Sequence, residues 1–206
     1  MTPVPRSMEA TAARAAAGVE ARRRSLPSGW WGAALFIAAE VSLFGSLIAT
    51  YFYLRFQSGD WPPPGVEKPS ITLPLVFTGM LVASALPMLA AFRGASRGRR
   101  WSAWWLLLAA TAIQATYLGL QIDLFVDDFN SFGPGGSAYG SVYFTLLGLD
   151  HAHVAVGLAL NAWLLAKLLG GITNYRLIAL RVAALYWYFV IALTILVTLT
   201  VLYPSL

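Results

Sequence analysis

The sequence predicts an all-α fold, a polytopic transmembrane bundle of five helices. Of the 206 residues, 58% are hydrophobic and only 11% are charged, and a water-soluble domain of this size needs more charge to cover its surface. The apolar residues are also gathered into five long runs, with the basic residues in the gaps between them. This distribution indicates membrane topology rather than a nucleic-acid-binding surface, although the net charge is +5.

The chain divides into a tail and one membrane domain. Residues 1–29 are rich in alanine and arginine, and we expect a basic, mobile tail there. The membrane domain is expected over 30–206, because each run reaches the roughly 20 residues that cross a hydrocarbon core as a helix. Pro74 and Pro87, both in the second run, are the residues most able to break a helix. The helices are expected at about 30–54, 71–92, 102–126, 139–169 and 177–203.

The basic residues are strongly biased toward one side of this bundle. Twelve of the 14 Lys and Arg residues lie in the tail, in the second connection or near the edges of the fourth. Only Arg55 and Lys68 lie on the other side. Because loops rich in Lys and Arg stay in the cytoplasm, the N-terminus is predicted to be cytoplasmic and the C-terminus to lie outside.

Aromatic residues flank the apolar runs. Trp and Tyr rings are enriched at the two membrane interfaces, where they anchor helices. We therefore expect an anchoring role for these aromatic residues: Trp30, Trp31, Tyr51, Tyr53, Trp61, Trp101, Trp104, Trp105, Tyr139 and Tyr203.

The ionisable residues inside the runs are the candidate functional residues, because a charge at membrane depth is costly and usually faces inward with a partner. Glu40 lies ten residues into the first run, near the middle of the bilayer at about 1.5 Å per residue, and the fourth run carries polar residues at a similar depth. A contact between Glu40 and the fourth helix is therefore expected. The predicted buried polar cluster comprises Glu40, Asp150, His151, His153, Gln121 and Asp123.

The two histidines are poorly spaced to share a metal ion. His151 and His153 are two residues apart, so their side chains point about 200° apart on a helix, whereas Asp150 and His153 share a face. A haem-copper centre needs several imidazoles and a dinuclear copper centre needs thiolates, and the chain has two histidines and no cysteine. We therefore predict a hydrogen-bonded cluster, with no catalytic residue, no metal ligand and no cofactor held by this chain.

Five ordered segments of the chain carry recognisable motifs: Trp31–Gly45, Trp61–Gly65, Tyr139–Phe144, Gly148–Gly157 and Tyr186–Val190. Together they resemble the haem-copper cytochrome c oxidase subunit III family. The first contains Glu40 at the position of the family's buried glutamate, and the second resembles its W-P-P-x-G loop. The others resemble the family's Y-G-S helix start, its G-x-H-x-x-H-V pattern and its Y-W-H-F-V motif.

The chain departs from the family pattern at a few positions. Asp150 replaces the first histidine of the fourth segment, with His151 beside it, and only His153 matches directly. Tyr188 stands for the histidine of the last motif. Asp123, in the third helix, is a displaced equivalent of a family acid. The five predicted helices correspond to the shorter, bacterial form of the family.

The resemblance implies a supporting role in a respiratory complex. A subunit III packs beside the catalytic subunit I of an oxygen-reducing, proton-pumping terminal oxidase, binds no haem or copper itself, holds phospholipid and helps to sustain turnover. It implies a multi-pass protein of the bacterial inner membrane, with haem and copper in the partner subunits.

Other functions remain open from the residues alone. The host complex could be a quinol oxidase or a nitric oxide reductase, because nothing in the chain distinguishes the electron donor. A small transporter would also bury Glu and His, but it would be expected to show an internal repeat or broken helices around a midplane site. A membrane quinone reductase would need a redox cofactor of its own.

Overall fold

The computed structural model describes residues 28–205, and the regular elements in that range are all helices. Five helical segments are long and apolar enough to cross a membrane, which confirms the predicted fold class. The predicted tail, apart from its last two residues, lies outside the described residues. The helices are α1 Ser28–Gln57, α2 Thr72–Ala83, α3 Ala85–Ser96, α4 Arg100–Ser131, α5 Ala138–Leu168 and α6 Asn174–Leu202, followed by a 3₁₀ turn at Tyr203–Ser205.

The second span consists of two helices, α2 and α3, which meet at Ser84. Pro87 lies three residues after this junction and has no N–H to donate to the carbonyl of Ala83, so the regular helical ladder is interrupted there. The hydroxyl of Ser84 donates to the carbonyl of Leu81 at 2.6 Å. The expected breaker therefore divides one span into two helices.

Two helices begin at a side-chain cap. The Ser137 hydroxyl accepts a hydrogen bond from the backbone N–H of Gly140 at 3.0 Å and starts α5. Thr173 accepts from the N–H of Arg176 at 3.2 Å and starts α6, a few residues earlier than the apolar run indicated. Such caps satisfy backbone donors that the first helical turn leaves free.

The helices α5 and α6 form the centre of the bundle. Helix α4 packs on α5, while α2 and α3 pack on α4 and α6. Among the described helices, α1 contacts only α5 and α6, and it does not touch α2, which follows it in the chain. Much of α1 is therefore exposed apolar surface, including Leu35, Val41 and Phe56.

The two ends of the bundle differ in charge. We call the end that carries Asp60, Glu67, Asp127 and Asp128 the acidic end, and the end that carries Arg93, Arg97, Arg99, Arg100, Lys167, Arg176 and Arg181 the basic end. The acidic end holds the connections between α1 and α2 and between α4 and α5, and α6 ends there.

Three aromatic residues of the acidic end pack inside the protein, and the expectation that they anchor it at the interface is corrected. Trp61 lies edge-on to the rings of Tyr51 and Tyr139, with centroid distances of 5.3 and 5.1 Å. All three side chains are buried. The loop between α1 and α2 therefore folds back onto α1 and α5 because such edge-to-face contacts and the burial of large rings are both favourable.

Candidate functional site

The candidate site is a set of buried polar groups between α1, α4, α5 and α6. Its most direct contact joins Glu40 on α1 to His153 on α5, where Oε2 and Nε2 are 3.2 Å apart. The two side chains are only 16% and 13% exposed. The contact is close without being a well-aligned hydrogen bond, since Oε2 of Glu40 has no such bond within the described residues. Glu40 therefore lies in contact with the fourth span, as predicted, through His153 on α5.

The tautomer of His153 follows from its second contact. Its Nδ1 lies 2.8 Å from the carbonyl oxygen of Leu149. Because a carbonyl can only accept, Nδ1 carries the proton and Nε2 is the atom that faces the carboxyl group. One proton between Nε2 and Oε2 gives either a neutral acid beside a neutral ring or a carboxylate beside an imidazolium, and both arrangements avoid an unpaired buried charge.

Aromatic rings surround the Glu40–His153 pair. Phe44 packs edge-on to the imidazole at 5.4 Å, and Phe36 and Phe189 each lie 6.5 Å from it. The hydroxyl of Tyr186 donates to the backbone carbonyl of His153 at 2.8 Å. The rings limit access of water and lipid to the pair, and the low-dielectric surroundings strengthen the interaction between its two members.

Asp150 lies one turn before His153 on the same face of α5 and is almost fully buried. Its Oδ1 accepts a hydrogen bond from the hydroxyl of Thr194 on α6 at 2.8 Å. On the α4 side, the amide of Gln121 donates to the hydroxyl of Tyr117 at 3.3 Å, and both residues are buried. Asp150 and Gln121 are thus inward-facing polar groups bonded to neighbours that the sequence did not identify.

The remaining two members of the predicted cluster lie apart from the Glu40–His153 pair. His151 is buried beside the ring of Phe125, 5.4 Å away, and its Nε2 has no hydrogen-bond partner within the described residues. The side chain of Asp123 is exposed on α4, so its expected burial is corrected. Gln121, two residues earlier, faces inward. Residues two apart on a helix point in nearly opposite directions, so Asp123 points away from the bundle.

A second polar network was missed by the sequence reasoning. Asn161 on α5 donates to Oε1 of Gln114 at 2.8 Å and accepts from the indole N–H of Trp187 at 3.0 Å. The amide of Gln114 donates in turn to Ser84 at 3.2 Å. These four buried residues link the second, third, fourth and fifth spans. The available signal was an asparagine inside an apolar run, which predicts an inward-facing bonded residue.

The arrangement supports helix packing. Among residues 28–205, no group of three or more His, Cys, Asp or Glu side chains is placed to hold a metal ion. Two of the ionisable groups instead contact single neighbours on an adjacent helix, Glu40 with His153 and Asp150 with Thr194. Such contacts lower the cost of burying a polar group.

Comparison with known proteins identifies the family. The model of the family described as "Cytochrome c oxidase subunit III" matches residues 21–205. The chain is 34% identical over 170 residues to cytochrome c oxidase subunit 3 of Bacillus subtilis (strain 168), covering 79% of this chain and 78% of the relative. It is 31% identical over 167 residues to cytochrome bo(3) ubiquinol oxidase subunit 3 of Pseudomonas aeruginosa, covering 78% and 76%. The chain belongs to the cytochrome c oxidase subunit III family.

Proposed function

We propose that this chain is the non-catalytic subunit III of a respiratory haem-copper terminal oxidase in a bacterial inner membrane. In this role it packs beside catalytic subunit I, which holds haem and copper, and it supports oxygen reduction coupled to proton pumping. The observation that carries the proposal is the family match over nearly all of the described chain. The polar groups inside the bundle, paired with one another, support a structural role rather than a redox one.

The exposed surface of α1 supports the proposed association. Only 6% of its most apolar 18-residue window is buried inside the chain, against 56% for α6. A helix with so little contact inside its own chain is covered by lipid or by another subunit in the membrane. We propose that subunit I and structural phospholipid share this surface.

The Glu40–His153 pair is the proposed anchor of α1. Since α1 touches only α5 and α6 among the described helices, the pair is one of few polar contacts that fix its rotation. We propose that Glu40, His153 and Asp150 together orient α1, α5 and α6. The anchor would allow the subunit to keep its shape during turnover.

Substitution of Glu40 tests this proposal. In Glu40→Gln and Glu40→Ala we expect unchanged haem and copper spectra in the assembled oxidase, because no cofactor ligand has been altered. Glu40→Ala is expected to lower the yield of the assembled subunit more than Glu40→Gln does, since it leaves Nε2 of His153 buried without a partner at a cost of about 1–3 kcal/mol. The amide of Gln can still make one hydrogen bond.

The measurements are optical spectra, oxygen consumption over time and the subunit content of the purified complex. Glu67→Gln is the matched control, because Glu67 is exposed in the connection before α2; it should behave as the unmodified complex. Early loss of turnover with intact spectra in the Glu40 variants supports the accessory role. Altered haem spectra in a fully assembled Glu40→Gln complex would place this residue at the redox centre and contradict it.

A quinol oxidase is the second candidate host. The Pseudomonas aeruginosa relative is named as a subunit of a cytochrome bo(3) ubiquinol oxidase. The identity of the subunits that co-purify with this chain decides between the two hosts.

A further inference from the structure

A cavity lined by both polar and apolar side chains enters the bundle from the acidic end. Its volume is about 70 Å³, and it lies where α2, α4, α5 and α6 meet. His151 lines it from α5, Gln121 from α4 and Thr198 from α6. A cavity of this size has room for a few water molecules, and water occupies buried cavities that offer it several polar partners.

A larger cavity lies beside it at the surface. The outer cavity has a volume of about 590 Å³ and is lined by the connection before α2, including Glu67 and Lys68. Both cavities are lined by Ser70, Asp128 and Tyr143, among other residues, and we call this shared lining the neck. The hydroxyl of Tyr143 donates to the carboxylate of Asp128 there. These shared residues mark a path from the loop surface toward the inner cavity.

His151 lies at the deep end of this path. It is 13 residues from the first residue of α5, a rise of about 20 Å, and helical side chains tilt toward the N-terminus of their helix, here toward the acidic end. The side chain is only 8% exposed, and its Nε2 has no hydrogen-bond partner within the described residues. A buried polar atom of this kind needs a partner such as an ordered water molecule.

We propose that the inner cavity is a hydrated inlet: a binding site for a small cluster of water molecules, continuous with the aqueous phase at the acidic end, that solvates the imidazole of His151 inside the membrane domain. The water cluster contacts the side chains of His151, Gln121 and Thr198, which line the cavity. The inlet makes His151 reachable by small water-soluble molecules.

Cysteine accessibility tests the inlet, because the chain contains no cysteine. His151→Cys and Thr198→Cys each place one thiol in the cavity. Val154→Cys is the matched control, because Val154 lies three residues further along α5, is fully buried and does not line the cavity. Asp60→Cys, in the exposed connection, reports full accessibility. The probe is 2-aminoethyl methanethiosulfonate, applied to the assembled complex, and the readout is the rate at which the mass of this subunit increases.

A thiol reacts with this probe as the thiolate, which forms readily only in contact with water. We expect the two cavity thiols to react at least about ten-fold faster than Val154→Cys and more slowly than Asp60→Cys. Adding Ser70→Trp at the neck should slow modification of His151→Cys several-fold and leave the rate for Asp60→Cys unchanged.

Two results would overturn the inlet. One is that the cavity thiols react no faster than Val154→Cys while Asp60→Cys reacts. The other is that Ser70→Trp has no effect on the reaction of His151→Cys. If His151→Cys does not assemble, Thr198→Cys alone decides in the same way.

Discussion

Gly157 shows how closely two helices meet at the residue scale. A Cβ atom built on this residue would lie 2.6 Å from Cζ2 of Trp187 and within 3.0 Å of two further atoms of that ring. The indole therefore lies directly against the backbone of α5, and its N–H reaches Asn161 one turn further on. Small residues that allow such close approach are typical of helix contacts in membranes, where dispersion and polar contacts drive association.

Gly157→Ala is predicted to destabilise the protein by about 1–3 kcal/mol, because the added methyl group forces the Trp187 ring out of its position. Gly119→Ala is the matched control, since Gly119 is exposed in the middle of α4 and a Cβ atom added to it would meet nothing within 4 Å. The control should leave stability unchanged or raise it slightly, because alanine favours the helix. The thermal midpoint for loss of this subunit from the purified complex measures both. Equal midpoints for the two variants would refute the close contact.

At the scale of elements, one hydrogen-bond network links four spans. Its members are Ser84, Gln114, Asn161 and Trp187. It crosses the bundle at the junction of α2 and α3, where the helical ladder is already interrupted. Ser84 thus serves both the local break and the long-range network. The network fixes the rotation of each span about its axis, which apolar contacts alone specify less strictly.

Asn161→Leu is predicted to cost about 1–3 kcal/mol for each buried group left without a partner. The groups are Oε1 of Gln114 and the N–H of Trp187. The double variant, Asn161→Leu with Trp187→Phe, should lose less stability than the sum of the two single changes, because it no longer contains the unpaired N–H. Thermal unfolding of the purified complex measures both single variants and the double variant, with Ala162→Leu, on the exposed side of α5, as a control for added bulk. A double variant no better than the sum of its single changes would argue against the network.

The sequence predicts the elements well and the side-chain directions less well. Span length and apolar content determine whether a segment crosses a membrane, so the five spans and their order follow from local composition. The proximity of Glu40 to α5 follows from equal depth. Which way His151 and Asp123 point depends on how α4 and α5 are rotated against their neighbours, which no local pattern specifies. The burial of Trp61 depends in the same way on the folding back of a loop.

At the scale of the whole molecule, the interpretation as a subunit of a terminal oxidase is confirmed by the family match. No single motif would have been sufficient. The resemblance was specific because segments from Trp31 to Val190 occur in the family's order, and the structure places two of them, those with Glu40 and His153, in contact. The departure at Asp150 is accommodated by Thr194, which supplies its hydrogen bond from α6.

One end of the bundle is acidic and the other is basic. The last prediction concerns which of them faces the cytoplasm. The basic end is expected to face the cytoplasm, because Lys and Arg in short loops are retained there and each gains about 1 kcal/mol near anionic headgroups. Alkaline phosphatase, which is active only outside, should be active when fused after Gly59 or Leu206. Green fluorescent protein should be fluorescent when fused after Gly98 or Gly170, two glycines in the basic connections. Fusions at the two ends control for one another, since each site should support only one reporter. Fluorescence from a fusion after Leu206 would reverse the orientation, and with it the face of the membrane at which the proposed inlet opens.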